Sequence, residues 1–214
     1  MPRPLFYGGD FDPNNPDSNA IANENDSVVS GNPYGAAAYQ NFVISSGSSW
    51  NVTAMFTNDQ MTVNPTTAYW EIRSGISEGN GGTLIASGTG ADTVTPTGRF
   101  QEFTNLVSGL NINLGFGTYW MAVVPETPSQ SGRSFLSNTF GLNSIGTQIS
   151  DQQFFNSAFF GANFTNADNE GVFSTLSSGV IGTEVPEPGS LMLLGSGVLA
   201  LAVVARRQFL GRRG

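Results

Sequence analysis

The 214-residue sequence predicts an all-β protein, an antiparallel β-sandwich of the jelly-roll type, together with a single C-terminal hydrophobic helix. Many short segments alternate apolar and polar residues, which is the pattern of strands that bury one face. Turns rich in Gly, Asn and Pro separate these segments at intervals of roughly 10–15 residues, as in sandwich domains. Before the C-terminal stretch, no window shows the periodicity of a convincing amphipathic helix.

The chain divides by composition into four regions. Residues 1–35 are polar and rich in turn formers, so we expect an N-terminal loop region there. Residues 36–176 carry the alternating segments and form the predicted β-sandwich domain. Residues 177–184 read SSGVIGTE, a composition that predicts a flexible linker. The remaining residues, 185–214, form the C-terminal tail.

Two tryptophan-containing strands and one apolar strand should supply the core. In the segment 50–57 the apolar residues fall on one face, with Met55 as the exception. In the segment 68–73 the pattern points Glu71 and Arg73 outward. The segment Thr118–Val124 is apolar almost throughout, which favours a central strand.

The tail has three parts in a fixed order. Val185, Pro186, Glu187 and Pro188 form a short acidic motif, and residues 190–205 carry no formal charge. As a helix this uncharged stretch would be roughly 24 Å long, close to the thickness of a bilayer core. Arg206, Arg207, Arg212 and Arg213 follow, and such a cluster holds its side of the span in the cytoplasm.

This order of motif, apolar span and arginine cluster resembles the PEP-CTERM sorting signal, which exosortase-type enzymes process in Gram-negative bacteria. The resemblance implies an exported protein that is anchored transiently in the inner membrane and cleaved near the Pro-Glu-Pro motif. The mature protein would then lie at the cell surface or outside the cell. The segments Ala38–Ile44, Trp50–Phe56, Gly81–Gly88 and Gly117–Val124 are also similar to the lectin-like or jelly-roll ectodomains that accompany such tails.

An exported protein needs an N-terminal leader with a basic start and an apolar stretch. The segment from Met1 to Phe6 has no such stretch. We therefore expect either a start codon that is placed too late or a leader that was already removed.

The composition excludes several kinds of chemistry. The chain has no histidine and no cysteine, so it cannot build Ser-His-Asp, Cys-His or histidine-based zinc sites. Sixteen acidic residues against eight basic ones give a net charge of −8, which disfavours nucleic acid as a partner. Two nearby carboxylates could still hydrolyse a glycan; the candidates are Glu71, Glu78, Glu102, Glu126 and Asp151.

The N-terminal region contains the one candidate cofactor site, for calcium. Asp10, Asp12, Asn14 and Asp17 place oxygen ligands close together, and Ca²⁺ binds six to eight oxygens. The run begins like an EF-hand loop but then departs from it, because Asn15 replaces the required glycine and Ile21 the bidentate glutamate. An ordinary solvated loop is the alternative.

Aromatic side chains are the second candidate site, because they can stack on sugar rings. Tyr69 and Tyr119 are each adjacent in sequence to a tryptophan, and adjacent residues of a strand point to opposite faces of the sheet. Because the tryptophans should face the core, we expect these two tyrosines to be exposed. The tryptophans themselves are expected in the core.

Together these observations favour an exported, exosortase-processed protein of the cell surface or extracellular matrix. We expect a structural or carbohydrate-binding role in a polysaccharide matrix or biofilm, with no catalytic residues. A small carboxylate-dependent glycan hydrolase or lyase is the alternative, and a passive adhesin or surface-layer component is a third class.

Overall fold

A computed structural model describes residues 3–26, 35–127, 132–172 and 175–186 of the chain. This part of the protein is all-β and almost wholly antiparallel, and its one helical element is the short 3₁₀ helix Ala167–Glu170. The predicted all-β fold is therefore confirmed. The predicted C-terminal helix, residues 190–205, lies outside the described residues.

The described residues form fourteen strands, numbered in chain order. They are β1 (Phe6–Tyr7), β2 (Ala20–Ala22), β3 (Asn25–Asp26), β4 (Ala37–Ile44), β5 (Ser48–Met61), β6 (Thr67–Ser74), β7 (Thr83–Pro96), β8 (Glu102–Leu114), β9 (Gly117–Thr127), β10 (Ser134–Thr139), β11 (Phe154–Ser157), β12 (Ala162–Asn166), β13 (Thr175–Leu176) and β14 (Ser178–Pro186).

Hydrogen bonding links these strands in the order β1-β14-β5-β8-β7-β6-β9-β4-β11-β12. Strand β7 turns the corner of this path, because it pairs with β6 up to Ala91 and with β8 from Asp92 onward. Strand β5 also contacts β9 and β4 without pairing with them. The sheet therefore folds back on itself in a manner consistent with a β-sandwich.

The two parts of the folded sheet form two layers, one containing β4 and the other β5. The largest buried cluster lies between them. Phe42 on β4 and Trp50 on β5 stack with ring centroids 5.6 Å apart, which joins the layers through their largest side chains. The other members come from seven strands, so the sequence's alternating segments do supply one core. The cluster contains Phe6, Phe42, Ile44, Trp50, Val52, Met55, Ala68, Ile72, Val107, Leu114, Met121, Val123 and Val180.

A β-bulge explains why Met55 breaks the alternation of its strand. The pairing of β5 with β14 shifts between Val52 and Ala54, so one extra residue of β5 faces the partner strand. A bulge changes which residues face inward, because the side chains of a strand alternate between its faces. Accordingly Val52 and Met55 lie in the main core, whereas Phe56 packs in a separate cluster with Ala54 and Ile181.

The predicted flexible linker at 177–184 is wrong. Residues Ser178–Pro186 form β14, which pairs with β5 along its whole length and with β1 at its start. Val180 and Ile181 are buried. The glycines that suggested flexibility are instead required by space, because a Cβ added to Gly182 would lie 2.1 Å from the backbone oxygen of Asn51.

The N-terminal region is also more than the predicted loop. It contributes three short strands, and Phe6 of β1 is 1% exposed in the main core. The sequence did not reveal this contact, because the region is mostly polar and a two-residue strand is too short to show an alternation of apolar and polar residues. The region and β14 both belong to the same folded unit as residues 36–176.

Candidate functional site

The sorting motif begins directly on a paired strand. Val185 and Pro186 are the last residues of β14 and pair with Ser49 and Ser48. The Ser49 hydroxyl donates to the Val185 carbonyl oxygen at 3.0 Å, while the Val185 side chain is largely exposed. The rest of the motif, Glu187 and Pro188, lies outside the described residues.

The rest of the predicted sorting signal lies outside the described residues. The predicted span 190–205 and the cluster Arg206, Arg207, Arg212 and Arg213 fall beyond residue 186, where the described part of the chain stops. Among the residues that the structure does describe, no helix is long and apolar enough to cross a membrane.

Asp10, the first residue of the predicted calcium loop, belongs to a hydrogen-bonded network. Its carboxylate accepts hydrogen bonds from the Tyr7 hydroxyl at 2.6 Å and from the Asn143 amide at 2.8 Å, and it pairs with Arg99 at 2.8 Å. Burial favours a raised pKa for Asp10, but these hydrogen bonds and the arginine charge outweigh it and lower the pKa. The same burial and the neighbouring carboxylate raise the pKa of Tyr7.

The other three predicted ligands lie in the turn that follows. An Asp12 oxygen accepts the backbone N–H of Asn14 at 2.9 Å, while Asn14 and Asp17 are exposed. In the described ranges, no three acidic residues gather to hold a metal ion, so Asp10, Asp12 and Asp17 do not form such a group. Calcium binding by this loop stays a prediction.

The two predicted sugar-stacking tyrosines lie on opposite faces of one sheet. Tyr69 pairs in register with Val124 and packs beside the cluster that contains Trp120. Tyr119 pairs with Ser74, packs on the main core and stacks on Phe42 at 5.7 Å. Both tyrosines are partly buried rather than exposed. They do not form a common platform for one sugar chain.

A surface groove of about 580 Å³ lies beside the N-terminal loop. Its walls come from that loop, from β5 and β10, and from the turn between β7 and β8. Apolar rings and neutral amide or hydroxyl groups share the lining, a composition typical of sites for small polar ligands. The lining residues are Phe11, Pro13, Asn15, Ser18, Asn19, Ala20, Gln60, Phe100 and Phe135.

Two phenylalanines give this groove its aromatic character. Phe100 stands in the β7–β8 turn and is 64% exposed. Phe135 lies on β10 directly opposite Gln60 of β5, and the Arg133 guanidinium sits 4.9 Å from its ring centroid. Sequence reasoning missed this groove because its residues come from four distant segments, and only the pairing of β5 with β10 brings them together.

A second hollow of about 490 Å³ is lined in part by the same loop. It shares Ser18 and Asn19 with the first groove and adds Asp17, Phe140 and Gly171. The oxygen-rich N-terminal loop therefore contributes to the lining of both surface hollows.

Glu71, which the sequence pattern places outside, is buried at 1% exposure. Its carboxylate accepts the Tyr39 hydroxyl at 2.6 Å and the Tyr69 hydroxyl at 3.0 Å, and it pairs with Arg73 at 2.7 Å. Side chains from other strands of the same sheet, Tyr39 of β4 and Phe164 of β12, cover this face of β6, so an outward strand position is not a solvated one. The prediction of an exposed Glu71 is wrong.

The remaining carboxylates suggested for glycan hydrolysis are dispersed. Glu102 is buried and pairs with Arg99 at 2.5 Å. Glu126 accepts the Thr67 hydroxyl, and Glu78 accepts the backbone N–H of Asn166 at 2.7 Å. None of the five candidates is among the described residues that line the two hollows.

Two other acids, Asp59 and Asp92, have raised pKa values. Asp59 is fully buried and accepts amide hydrogens of Asn23 and Asn105, each at 2.9 Å. Burial raises the pKa of Asp59 to about 6. Burial and repulsion by Asp59 raise the pKa of Asp92 to about 7. Sequence reasoning overlooked both acids because neither lies in a motif.

Comparison with known proteins identifies one segment of the chain. The PEP-CTERM protein-sorting motif matches residues 184–208, which covers the end of β14, the Pro-Glu-Pro motif, the whole apolar stretch and the first two arginines of the cluster. Comparison with curated proteins and with solved structures gave no match. The chain therefore carries a PEP-CTERM protein-sorting motif, which implies an exported protein that is anchored at its C-terminus before an exosortase-type enzyme processes it.

Proposed function

We propose that this protein is a non-catalytic component of the cell surface or extracellular matrix, with a carbohydrate-binding or structural role. The sorting motif at 184–208 carries the proposal, because it implies export and is joined without a spacer to the last strand of the sandwich. The chain's low content of charged residues, 11%, supports a role among neutral polysaccharides.

In this proposal the tail is a temporary anchor. Residues 190–205 span the inner membrane, and Arg206, Arg207, Arg212 and Arg213 hold the end of the chain in the cytoplasm. The folded part then lies outside the cytoplasm, where cleavage near the Pro-Glu-Pro motif releases it.

The groove beside the N-terminal loop is the proposed site for a glycan. Phe100 offers an exposed ring on which a sugar can stack, and Gln60 lies opposite Phe135 on the groove's strands. Asn15 and Asn19 add amide groups at the wall. Neutral hydrogen-bonding groups beside apolar rings suit an uncharged sugar, whose ring faces are apolar and whose edges are polar.

Location is tested by fractionating cells that make the intact chain or a Glu187→Ala, Pro188→Ala variant. The intact chain should yield a shorter product at the surface or in the medium, whereas the variant should stay full-length in the membrane. Recovery of uncut, intact chain from the cytosol would contradict the proposal.

Binding is tested by exposing the purified protein to a glycan array and to the exopolysaccharide of the host. Phe100→Ala should weaken binding at least about tenfold, on the scale of other lost aromatic stacking contacts. Phe116→Ala is the matched control, because Phe116 is 65% exposed but does not line the groove. An equal loss of affinity in both variants, or no binding at all, would contradict the glycan-binding role. Release of shortened sugar chains would instead favour a hydrolase or lyase.

A further inference from the structure

We propose that the interior of the sandwich holds a hard cation of the calcium class, bound by Asp92, Asn105 and Asp59 at the corner where β7 leaves β6 and joins β8. This site is separate from the oxygen-rich N-terminal loop and from the glycan groove. It does not depend on either of those assignments.

The strand register places the three side chains on one face. Asn105 of β8 lies opposite Thr57 of β5, two positions from Asp59, and opposite Val94 of β7, two positions from Asp92. Residues two apart on a strand share a face, and so do residues opposite each other in an antiparallel pair. Asp92 itself lies opposite Val107, a member of the main core, so this shared face is the inner one.

The site contains oxygen atoms that lack hydrogen-bond donors. Both carboxylate oxygens of Asp92 are buried without a well-formed hydrogen bond, and the one donor beside them is the Leu106 backbone N–H. Asn105 is fully buried and donates its amide hydrogen to Asp59, but its side-chain oxygen has no donor. The buried Ser134 hydroxyl also lies beside Asp59 without a well-formed hydrogen bond. Buried oxygens without donors are costly, so a bound group that satisfies them would stabilise the fold.

No described protein cation is paired with these carboxylates. Each described arginine is either paired with another acid or exposed, and the chain has no lysine or histidine. Asp59 and Asp92 repel each other, and a positive charge between them would relieve that repulsion. The arginine pairs are Arg73 with Glu71, Arg99 with Glu102 and Asp10, and Arg133 with Glu24, while Arg3 is exposed.

The donor set favours calcium over other metals. All the available ligands are carboxylate, amide or hydroxyl oxygens, which hard cations prefer, and zinc's usual histidine and cysteine ligands are missing from the chain. Calcium accepts irregular arrangements of oxygens more readily than magnesium does. Asp92 as a residue is only half-buried, so the site lies close to solvent.

A proton is the competing occupant. A protonated Asp92 could donate to the free oxygen of Asn105 and would also remove the repulsion from Asp59. The two occupants differ in one respect that can be measured: only a cation site makes stability depend on added calcium.

The test uses the full chain, purified in detergent, stripped with chelator and melted with and without excess calcium. Calcium should raise the Tm of the wild type. Asp92→Asn keeps the side-chain volume, so it should fold, and it should weaken calcium binding at least about tenfold, a loss that even outer-shell changes reach. Asp12→Asn, in the N-terminal loop, is the control and should keep the full response.

Terbium, which replaces calcium at oxygen sites, gives a second readout. A Cβ at Gly90, two residues before Asp92, would lie 4.0 Å from the Trp70 indole nitrogen, so Trp70 is close enough to sensitise terbium emission. Trp70→Phe should reduce that emission while the calcium-dependent rise in Tm persists. An unchanged wild-type Tm would show that calcium does not bind the site. A response lost in Asp12→Asn but kept in Asp92→Asn would place the ion in the N-terminal loop. Either result overturns the proposal.

Discussion

Glu71 shows how a single buried charge is held in this protein. Two tyrosine hydroxyls and the Arg73 guanidinium surround its carboxylate, and Arg73 also donates to the Gly81 carbonyl oxygen at 3.0 Å. Removing one partner of a buried ion pair leaves the other charge poorly solvated, which costs more than the pair contributes.

Glu71→Ala should therefore reduce the free energy of unfolding by about 3–5 kcal/mol, measured by urea denaturation. Glu78→Ala is the control, because Glu78 is exposed and makes a single hydrogen bond to the backbone of Asn166. Its loss should cost below about 1.5 kcal/mol. Similar losses in the two variants would show that the buried network does not stabilise the fold.

Asp10 should make the protein sensitive to acid. Its pKa in the folded protein lies below the ordinary value of 3.8, so its stabilising contribution is present above pH 3.8 and is lost as the pH falls through the lower folded pKa. In Asp10→Asn this part of the acid-induced loss of stability should be absent. Unfolding curves of both proteins between neutral pH and strong acid would check it, and parallel curves would contradict it.

The sequence could suggest that Asp10 and Glu71 matter, but not their partners. Asp10 lies in a run of oxygen-bearing residues and was predicted to bind calcium, whereas its partner Arg99 is far away in the chain and reaches it only through the fold. Glu71 follows strand alternation correctly, yet alternation does not reveal that Tyr39 and Phe164, from strands distant in the sequence, cover the outer face of β6.

At the scale of elements, β14 is the clearest case in which local composition misleads. Its glycines and serines are typical of a linker, yet these small residues let the strand lie close to β5. A Cβ on Gly179 would meet the Phe56 ring at 2.5 Å, and one on Gly182 would meet the Asn51 backbone. Close backbone approach is a requirement of packing that a single sequence does not display.

Gly182→Ala should consequently destabilise the protein by about 1–3 kcal/mol, the usual cost of overpacking, because the crowding atom is backbone. Gly115→Ala is the matched control, since a Cβ there would have no neighbour within 4 Å. Its effect should stay within about 0.5 kcal/mol, measured by thermal melting of both variants. A harmless Gly182→Ala would mean that β14 does not pack against β5 as described.

For the whole molecule, the sequence predicts the fold class but not the order of its strands. Alternation identifies the strands that form the core, because burial of one face imposes a period of two. The long-range pairings, such as β1 with β14 and β5 with β10, join segments that carry no local signal for each other. The groove, the corner at Asp92 and the final strand all depend on those pairings.

The first and last strands pair with each other and both contribute to the main core, so the position of a C-terminal cut should decide whether the protein folds. A chain ending at residue 186 keeps β14 and should melt cooperatively, whereas a chain ending at residue 177 loses Val180 from the main core and leaves β1 without its partner. Thermal melting and limited proteolysis of the two truncated chains would measure this. Since the sorting motif starts within β14, a processing cut that preserves the fold must fall at or beyond Pro186. A stable, cooperatively folded chain ending at 177 would show that β14 is dispensable, and the cut could then fall earlier.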